Sequence, residues 1–333
     1  MTLRAWHEVV TRGGRALTLH HVVTPGPSDP RPVVLLVPGF IQNRHAFALP
    51  RRSLVDALAA RGFEVVVVDL PGRRAALRAP RVERLSSYVD DVASIVERLA
   101  DRHPRTALVG HSMGGLIGVS LPSDAAARLS CVAALGSPLL PGERVLRRLS
   151  LPVELASRVL SLAGAPFPGR RIAGGIFRAR AAFGGHRVRL PMRVWSRDAL
   201  TDDELSFSLE HAFTDDAFGA AADMLMLLRT KGERMGDVPI GERLAALRAP
   251  LLVIGGNDDG LAPEDAVRAL YERAGSRERA LVVVGEDKKG ARVGHIDLLV
   301  GRHAPTWVWP PLLAFLDAHL VPNGSRSSQG NSR

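Results

Sequence analysis

Short apolar runs closed by glycine, proline or aspartate recur along the chain, and their length decides what they form. Pro32-Val33-Val34-Leu35-Leu36-Val37 runs without a polar break into Pro38-Gly39, and Glu64-Val65-Val66-Val67-Val68-Asp69 precedes Pro71-Gly72. A strand with one wet face would alternate, so these runs predict strands buried on both faces of a parallel sheet. Thr106–Val109, Cys131–Leu135, Leu251–Ile254 and Ala280–Val284 read the same way. Between them the period changes. Leu54 to Ala60 is helical and stops at Gly62, and Leu85, Val89, Val92, Ile95, Val96 and Leu99 share one stripe of an amphipathic helix. Strands alternating with helices predict an α/β protein with a doubly wound, mostly parallel sheet. Ahead of it, two strand-like stretches within Glu8–Val23 flank Gly13-Gly14, as in a β-hairpin.

The rhythm fails between about Leu140 and Leu247. Helical pieces, the break Pro166-Phe167-Pro168-Gly169 and a capping box at Thr201-Asp202-Asp203-Glu204 occupy this stretch. The expected organisation is a core of residues 1–140 and 246–322, a mostly helical cap at 141–245, and a tail at 323–333 with the composition of a disordered end.

Composition narrows the class. With 333 residues, 46% of them apolar, the chain can bury a substantial core. Its net charge of +10 comes from arginine in large excess over lysine. The arginines are scattered, and without a recognition motif no nucleic-acid partner is expected. The first residues hold no apolar signal segment, and the longest apolar stretches fall short of the ~18 residues a membrane span needs. A cytoplasmic protein is therefore expected, with no motif that specifies an oligomeric state. The lone Cys131 lies inside an apolar run and reads as a buried strand residue.

One pentapeptide changes the picture. Gly110-His111-Ser112-Met113-Gly114 has the form G-x-S-x-G and stands between a predicted strand and a predicted helix. A sharp turn there lifts the serine hydroxyl clear, bulky neighbours two positions away would clash, and Gly110 and Gly114 relieve that. A hydroxyl needs a base to become a nucleophile, and the base needs a partner to fix its tautomer. After strand Leu251–Ile254 comes the acidic turn Asn257-Asp258-Asp259-Gly260, and after strand Ala280–Val284 comes Gly294-His295-Ile296-Asp297. His295 is the candidate base, and the acidic turn supplies its partner. Other histidines fit less well. His20 and His21 point to opposite faces of a strand, while His103, His186, His303 and His319 read as loop or surface residues. His111 tunes or fills the elbow, and His45 lies near the loop after Val37. None makes a metal-ligand spacing, so neither metal nor cofactor is expected.

These residues resemble the α/β-hydrolase superfamily, in the serine-nucleophile branch that holds acid lipases and polyhydroxyalkanoate synthases. The likeness runs through Val37-Pro38-Gly39-Phe40-Ile41-Gln42-Asn43, Leu49-Pro50-Arg51-Arg52-Ser53-Leu54, the elbow, Gly136-Ser137-Pro138, and Gly294 to Gly301. It covers the core and leaves the cap unmatched. It implies an α/β-hydrolase fold, Ser112 as nucleophile, His295 as base and the chain order serine, acid, histidine. The family's spacing from a glycine and to a proline favours Asp259 over Asp258, since Gly256 and Pro263 flank it. The implied oxyanion hole uses the backbone N–H groups of Phe40 and Met113. Departures stand beside the match. Pro38 replaces the usual histidine, and Leu70-Pro71-Gly72-Arg73-Arg74-Ala75-Ala76 departs from R-G-x-G-x-S. Polyhydroxyalkanoate synthases carry cysteine at the elbow, so Ser112 implies hydrolysis.

The expected activity is cleavage of a small apolar acyl ester through an acyl-enzyme. A thioesterase, carbon–carbon bond hydrolase or acyltransferase would use the same residues, and a catalytically silent binding protein is the reading of another class. Phe207, Phe213, Phe218, Met224, Met226, Leu227 and Leu228 are candidates for an apolar pocket over Ser112, favouring short to medium acyl chains.

Overall fold

Eight strands make one sheet in the computed structural model, which describes residues 3–26, 31–70, 84–140, 144–163, 165–182, 194–196, 199–285 and 290–321. They are β1 (Arg4–Arg12), β2 (Arg15–Val23), β3 (Val33–Val37), β4 (Glu64–Asp69), β5 (Thr106–His111), β6 (Cys131–Leu135), β7 (Leu251–Gly256) and β8 (Arg279–Val284). Their order across the sheet is β1-β2-β4-β3-β5-β6-β7-β8. The hairpin β1–β2 and its junction with β4 are antiparallel, and every later pairing is parallel. Around the sheet run α1 (Leu54–Ala60), α2 (Leu85–Ala100), α3 (Met113–Val119), α4 (Ser123–Ala127), α5 (Arg144–Leu162) and α6 (Gly169–Ala182). The series continues with α7 (Asp202–Phe207), α8 (Phe218–Arg229), α9 (Ile240–Ala246), α10 (Glu264–Arg273), α11 (Asp297–Val300) and α12 (Trp309–Leu320).

The unbroken runs are strands with no wet face. All five residues of β3 are fully buried. Val33, Leu35 and Val37 pack on the side holding Val92 and Leu116, whereas Val34 and Leu36 pack on the side holding Leu54, Leu58 and Leu312. Each such side chain contributes roughly 1.5–3 kcal/mol of burial, so the sheet centre anchors both halves of the core. Cys131 lies there as expected, and burial pushes its thiol up to about 12, which leaves it protonated.

Helix limits follow local chemistry. Ser53 Oγ accepts the Asp56 N–H at the start of α1 (3.0 Å), and Gly62 at φ 89° turns the chain at its end. The capping box forms at α7: Thr201 Oγ1 accepts the Glu204 N–H (3.3 Å), and Glu204 Oε2 accepts the Thr201 N–H (2.9 Å). Between β6 and β7 the described residues form α5 to α9, with a short antiparallel pairing of Pro166–Phe167 and Asp216–Ala217. Arg84 grips the buried Asp223 of α8 with both Nε (2.9 Å) and Nη2 (2.5 Å), which ties α8 to the start of α2. Among the described residues no helix is long and apolar enough to cross a membrane.

Two readings need amendment. The first strand begins at Arg4, because an edge strand that is mostly exposed has no apolar run to announce it. It is held instead by pairing with β2 and by Trp6 stacked on His21, 4.8 Å between ring centroids. His319 lies on α12 rather than in a loop, with Nδ1 2.7 Å from the Phe315 carbonyl oxygen, whereas His103 sits in a loop as expected, with Nδ1 2.9 Å from the Arg31 carbonyl oxygen. The Arg73-Arg74 loop, His186 and the 323–333 tail lie outside the described residues.

Candidate active site

Four parallel strands end side by side, and the candidate residues stand just past those ends. Register aligns Gly110 with both Val37 and Ala134, and His111 with Leu135. The ladder then continues one step beyond each strand: Ser112 N–H donates to Leu135 O, and Gly136 N–H donates to Ile254 O, both at 2.8 Å.

Ser112 is the single residue between β5 and α3, at φ 54° and ψ −120°. A non-glycine residue there stores ~1–3 kcal/mol of strain, which the surrounding packing must offset. The glycines explain how the turn closes. A Cβ on Gly110 would lie 2.4 Å from the Gly114 carbonyl, one on Gly114 would lie 2.0 Å from Val37 O, and one on Gly115 would lie 2.0 Å from Ser137 Oγ. The elbow is thereby clamped against β3 and β6.

The acidic turn and the histidine loop are lashed together by Asn257. Its Nδ2 donates to Gly285 O (3.0 Å) and Ala291 O (2.8 Å), and its Oδ1 accepts the Val293 N–H (2.9 Å). Asp259 is buried; its Oδ1 accepts the Leu261 and Ala262 N–H groups at 2.9 and 2.8 Å, and its Oδ2 accepts His295 Nδ1–H at 2.7 Å. Asp258 faces Arg292 instead, at 3.9 Å. The neighbouring Asp297 holds the loop from below, accepting the Gly294 and Ser196 N–H groups on Oδ2, both at 2.7 Å. Burial raises its carboxyl to about 6 against those bonds.

Gly136, at φ 54°, separates the two halves: an added Cβ would sit 3.2 Å from His295 Nδ1 and 3.3 Å from Asp259 Oδ2. Among the described residues no hydrogen bond yet joins Ser112 Oγ to His295, a contact that commonly tightens only with substrate. The adjacent His111 does reach the loop, with its ring 4.6 Å from that of His295. Its Nδ1 lies 2.9 Å from Gln42 Oε1 and its Nε2 lies 3.1 Å from the His295 carbonyl oxygen. Complete burial, and then the nearby His295, push His111 well below the usual imidazole range, so it fills the elbow as a neutral group. His45 is likewise pushed down, to about 4, by burial and by Arg44; it stands edge-on to Phe207 at 6.3 Å.

The loop after β3 sorts its own donors. Gly39 N–H donates to Gln42 Oε1 (3.1 Å), Ile41 N–H donates to Asp216 Oδ2 (3.0 Å), and Gln42 N–H donates to Gly39 O (3.3 Å). No acceptor among the described residues takes the N–H of Phe40 or of Met113. Ile41 is held at φ 54°, and residues 212–214 run alongside, with Asn43 N–H donating to Ala212 O (3.1 Å) and Thr214 N–H to Ile41 O (2.9 Å). Asp216 also accepts Tyr88 Oη–H on Oδ1, at 2.8 Å. Asp216 and Tyr88 carry no motif that sequence reading could have used, and Gln42 and Gly136 lie in segments that carry the family likeness without a role of their own being read from them.

The pocket candidates divide. Leu227 is fully buried and Met224 packs against the same core, Phe207 and Phe213 pack against the other, and Met226 and Leu228 are half-buried on α8. Phe218 is linked to the loop after β3 by ring contacts: it meets Phe167 at 5.2 Å, and Phe167 meets Phe40 at 5.0 Å, both edge to face. Phe167 went unnoticed in the sequence because its neighbours are prolines in a breaker segment. Among the described residues no cluster of three or more metal-ligating groups occurs.

Residues 34–321 match the model of a family described as the alpha/beta hydrolase family. A monoacylglycerol lipase of Mycolicibacterium smegmatis is 28% identical over 84% of this chain and 88% of its own. In structure, a soluble variant of a monoglyceride lipase from Saccharomyces cerevisiae is similar with a TM-score of 0.65 at 17% identity, covering 95% of this chain and 96% of that one. A thermophilic esterase from Thermogutta terrifontis gives 0.61 at 20% identity, covering 95% and 99%.

Proposed function

This chain belongs to the alpha/beta hydrolase family, and we propose that it is a serine esterase that cleaves a small carboxylic ester with an apolar acyl chain. The observation that carries this reading is Ser112 at a strained strand-to-helix turn, across Gly136 from the buried His295–Asp259 pair at 2.7 Å. In this reading Ser112 Oγ attacks the acyl carbon while His295 Nε2 takes its proton, and Asp259 holds Nδ1–H so that Nε2 is the basic nitrogen. The carbonyl oxygen, now an anion, accepts the N–H groups of Phe40 and Met113; one such donor is typically worth ~3 kcal/mol of barrier. Collapse of the intermediate breaks the ester C–O bond and passes the proton from His295 to the departing alcohol. Water then attacks the acyl-enzyme by the same proton route and releases the acid.

The division of labour follows. Residues 1–140 and 246–322 form a core that supplies the chemistry, and residues 141–245 form a cap that chooses the substrate. The edge-to-face chain Phe40–Phe167–Phe218 supports an apolar acyl group lying along the cap side of the site. The M. smegmatis relative bears the name monoacylglycerol lipase, which fits an ester of a neutral, apolar acid.

A fluorophosphonate probe tests the nucleophile, and p-nitrophenyl esters of increasing chain length, with matched thioesters, test the bond. Labelling that is lost in Ser112→Ala and ester turnover above thioester turnover are expected. Folded protein that takes up no label would make the chain a silent scaffold, and faster thioester cleavage would make it a thioesterase.

A further inference from the structure

Helix α5 is inside out. Its described outward positions are Leu151, Pro152, Leu155, Ala156, Val159, Leu160, Leu162 and Ala163, an entirely apolar set. Leu151, Leu155, Val159 and Leu162 are 54%, 56%, 65% and 79% exposed, and Ile172 on α6 is 43% exposed. The polar residues face inward: Glu154, Ser157 and Ser161 are buried. Glu154 is bound there by Arg158 Nη2 (2.8 Å) and by Nε and Nη2 of Arg229 on α8, both at 3.3 Å. That ion pair fixes which face turns out, since rotating the helix to hide the leucines would pull Glu154 away from Arg229 and break it. Scattered exposed apolar residues need no explanation, but an unbroken stripe along three turns does.

Charge says what covers it. From Arg144 to Ala182 the sequence holds eight arginines and one acid, the inward-facing Glu154. Arg170 and Arg171 are exposed beside Ile172. A second copy meeting this face across a two-fold axis would set these arginines against themselves. An apolar stripe with the exposed Arg170, Arg171 and Arg178 beside it matches the interface of an anionic lipid layer, where the leucines enter the acyl boundary and the guanidinium groups stay among the head groups. Among the described residues no helix is long and apolar enough to span such a layer, so α5 would meet it lying flat. We propose that α5 and the start of α6 seat the enzyme on an anionic lipid surface.

The seat leads to the chemistry. Leu162 stands five residues before Phe167, whose ring packs on Phe40, and a Cβ on Gly169 would lie 2.5 Å from Ile41 Cγ2. An apolar ester dissolved in the layer would therefore enter beside the loop that carries Phe40. This last step rests on the esterase reading, whereas the docking itself does not.

Flotation of the full chain with extruded vesicles tests it, using phosphatidylcholine mixed with phosphatidylglycerol against pure phosphatidylcholine. Wild-type and Ser112→Ala chains should float equally with the mixed vesicles, less with the neutral ones, and less again at high salt. Leu155→Ser/Val159→Ser/Leu162→Ser should lose at least ~tenfold in partitioning, since each buried side chain of this size contributes about a factor of ten or more. The same variant should keep its circular dichroism and its turnover of a short soluble ester. Failure of the wild type to float would overturn the proposal, as would equal flotation by the triple variant. Light scattering that shows a dimer dissolved by the triple substitution would assign the face to a second copy instead. Flotation without any esterase activity would leave the seat standing and remove only the substrate route.

Discussion

Asp216→Ala should disable the oxyanion loop without touching the nucleophile or its base. The carboxylate accepts Ile41 N–H at 3.0 Å and Tyr88 Oη–H at 2.8 Å, both from distant parts of the chain, besides the N–H of its neighbour Ala217 at 2.9 Å, and it is buried. Stranding two buried donors costs ~1.5–3 kcal/mol each. Part returns when Ile41 leaves φ 54°, a conformation worth ~1–2 kcal/mol of strain. A net destabilisation of about 1–5 kcal/mol follows, read as a lower midpoint in urea. The same relaxation swings the Phe40 N–H away from where an oxyanion forms, and loss of one such donor costs ~10²–10³ in kcat. On a short p-nitrophenyl ester, kcat should fall about a hundredfold with KM within a few-fold, because the donor acts in the transition state. Tyr88→Phe serves as the control. It removes one of the two partners of Oδ1, leaves the Ala217 and Ile41 bonds in place, and should keep kcat within about threefold while costing ~1 kcal/mol of stability. A folded Asp216→Ala enzyme with wild-type kcat would refute the reasoning, and so would an equal loss in Tyr88→Phe.

Ser112→Ala and His295→Ala should each abolish turnover with urea midpoints near wild type, and the double variant should be no worse than either, since the pair acts as a unit; near-normal activity in His295→Ala would send the search to another base. Gly114→Ala should fail to fold stably, because its Cβ would lie 2.0 Å from Val37 O on a fully buried strand; a cooperative melt within a few degrees of wild type would show that the elbow yields. Burial holds the Asp297 carboxyl up at about 6 in the folded chain against an ordinary 3.8, so the native state keeps a proton that the unfolded chain releases, and this group's contribution to stability falls as pH rises from about 4 to about 6. Two pK units amount to on the order of 3 kcal/mol; Asp297→Asn should flatten that fall in urea titrations, and a pH profile parallel to wild type would contradict it.

The parts of this molecule that repeat locally were legible in its sequence. Runs such as Val33–Val37 and Val65–Val68 read as two-faced strands because no polar residue interrupts them, and the elbow read as an elbow because strand, glycines and helix are adjacent in the chain. Asp259 was chosen over Asp258 only through a family spacing; the physical reason, Asp258 turned toward Arg292 and Asp259 toward His295, is three-dimensional. Contacts made at long range left no trace. Ile41 meets Asp216 from 175 positions away, and Tyr88 meets it from 128. Nor does a helical period say which face turns inward, and α5 turns its polar face in because Arg229 awaits Glu154 there.

The sheet order has a consequence for how the chain is made. Neighbours β6 and β7 pair residue for residue, Leu135 against Ile254, yet 115 residues lie between the end of one and the start of the other. A ribosome adding ~5–20 residues per second takes roughly 6–23 s to cross that interval. Throughout it, Cys131–Leu135, a strand with no polar side chain, presents an open hydrogen-bonding edge to the surrounding solution. Such an edge is a template for any other nascent strand. Chains halted before Leu251 should therefore accumulate as aggregates, and yield of the whole protein should rise when trigger-type chaperones shield the emerging chain during that wait.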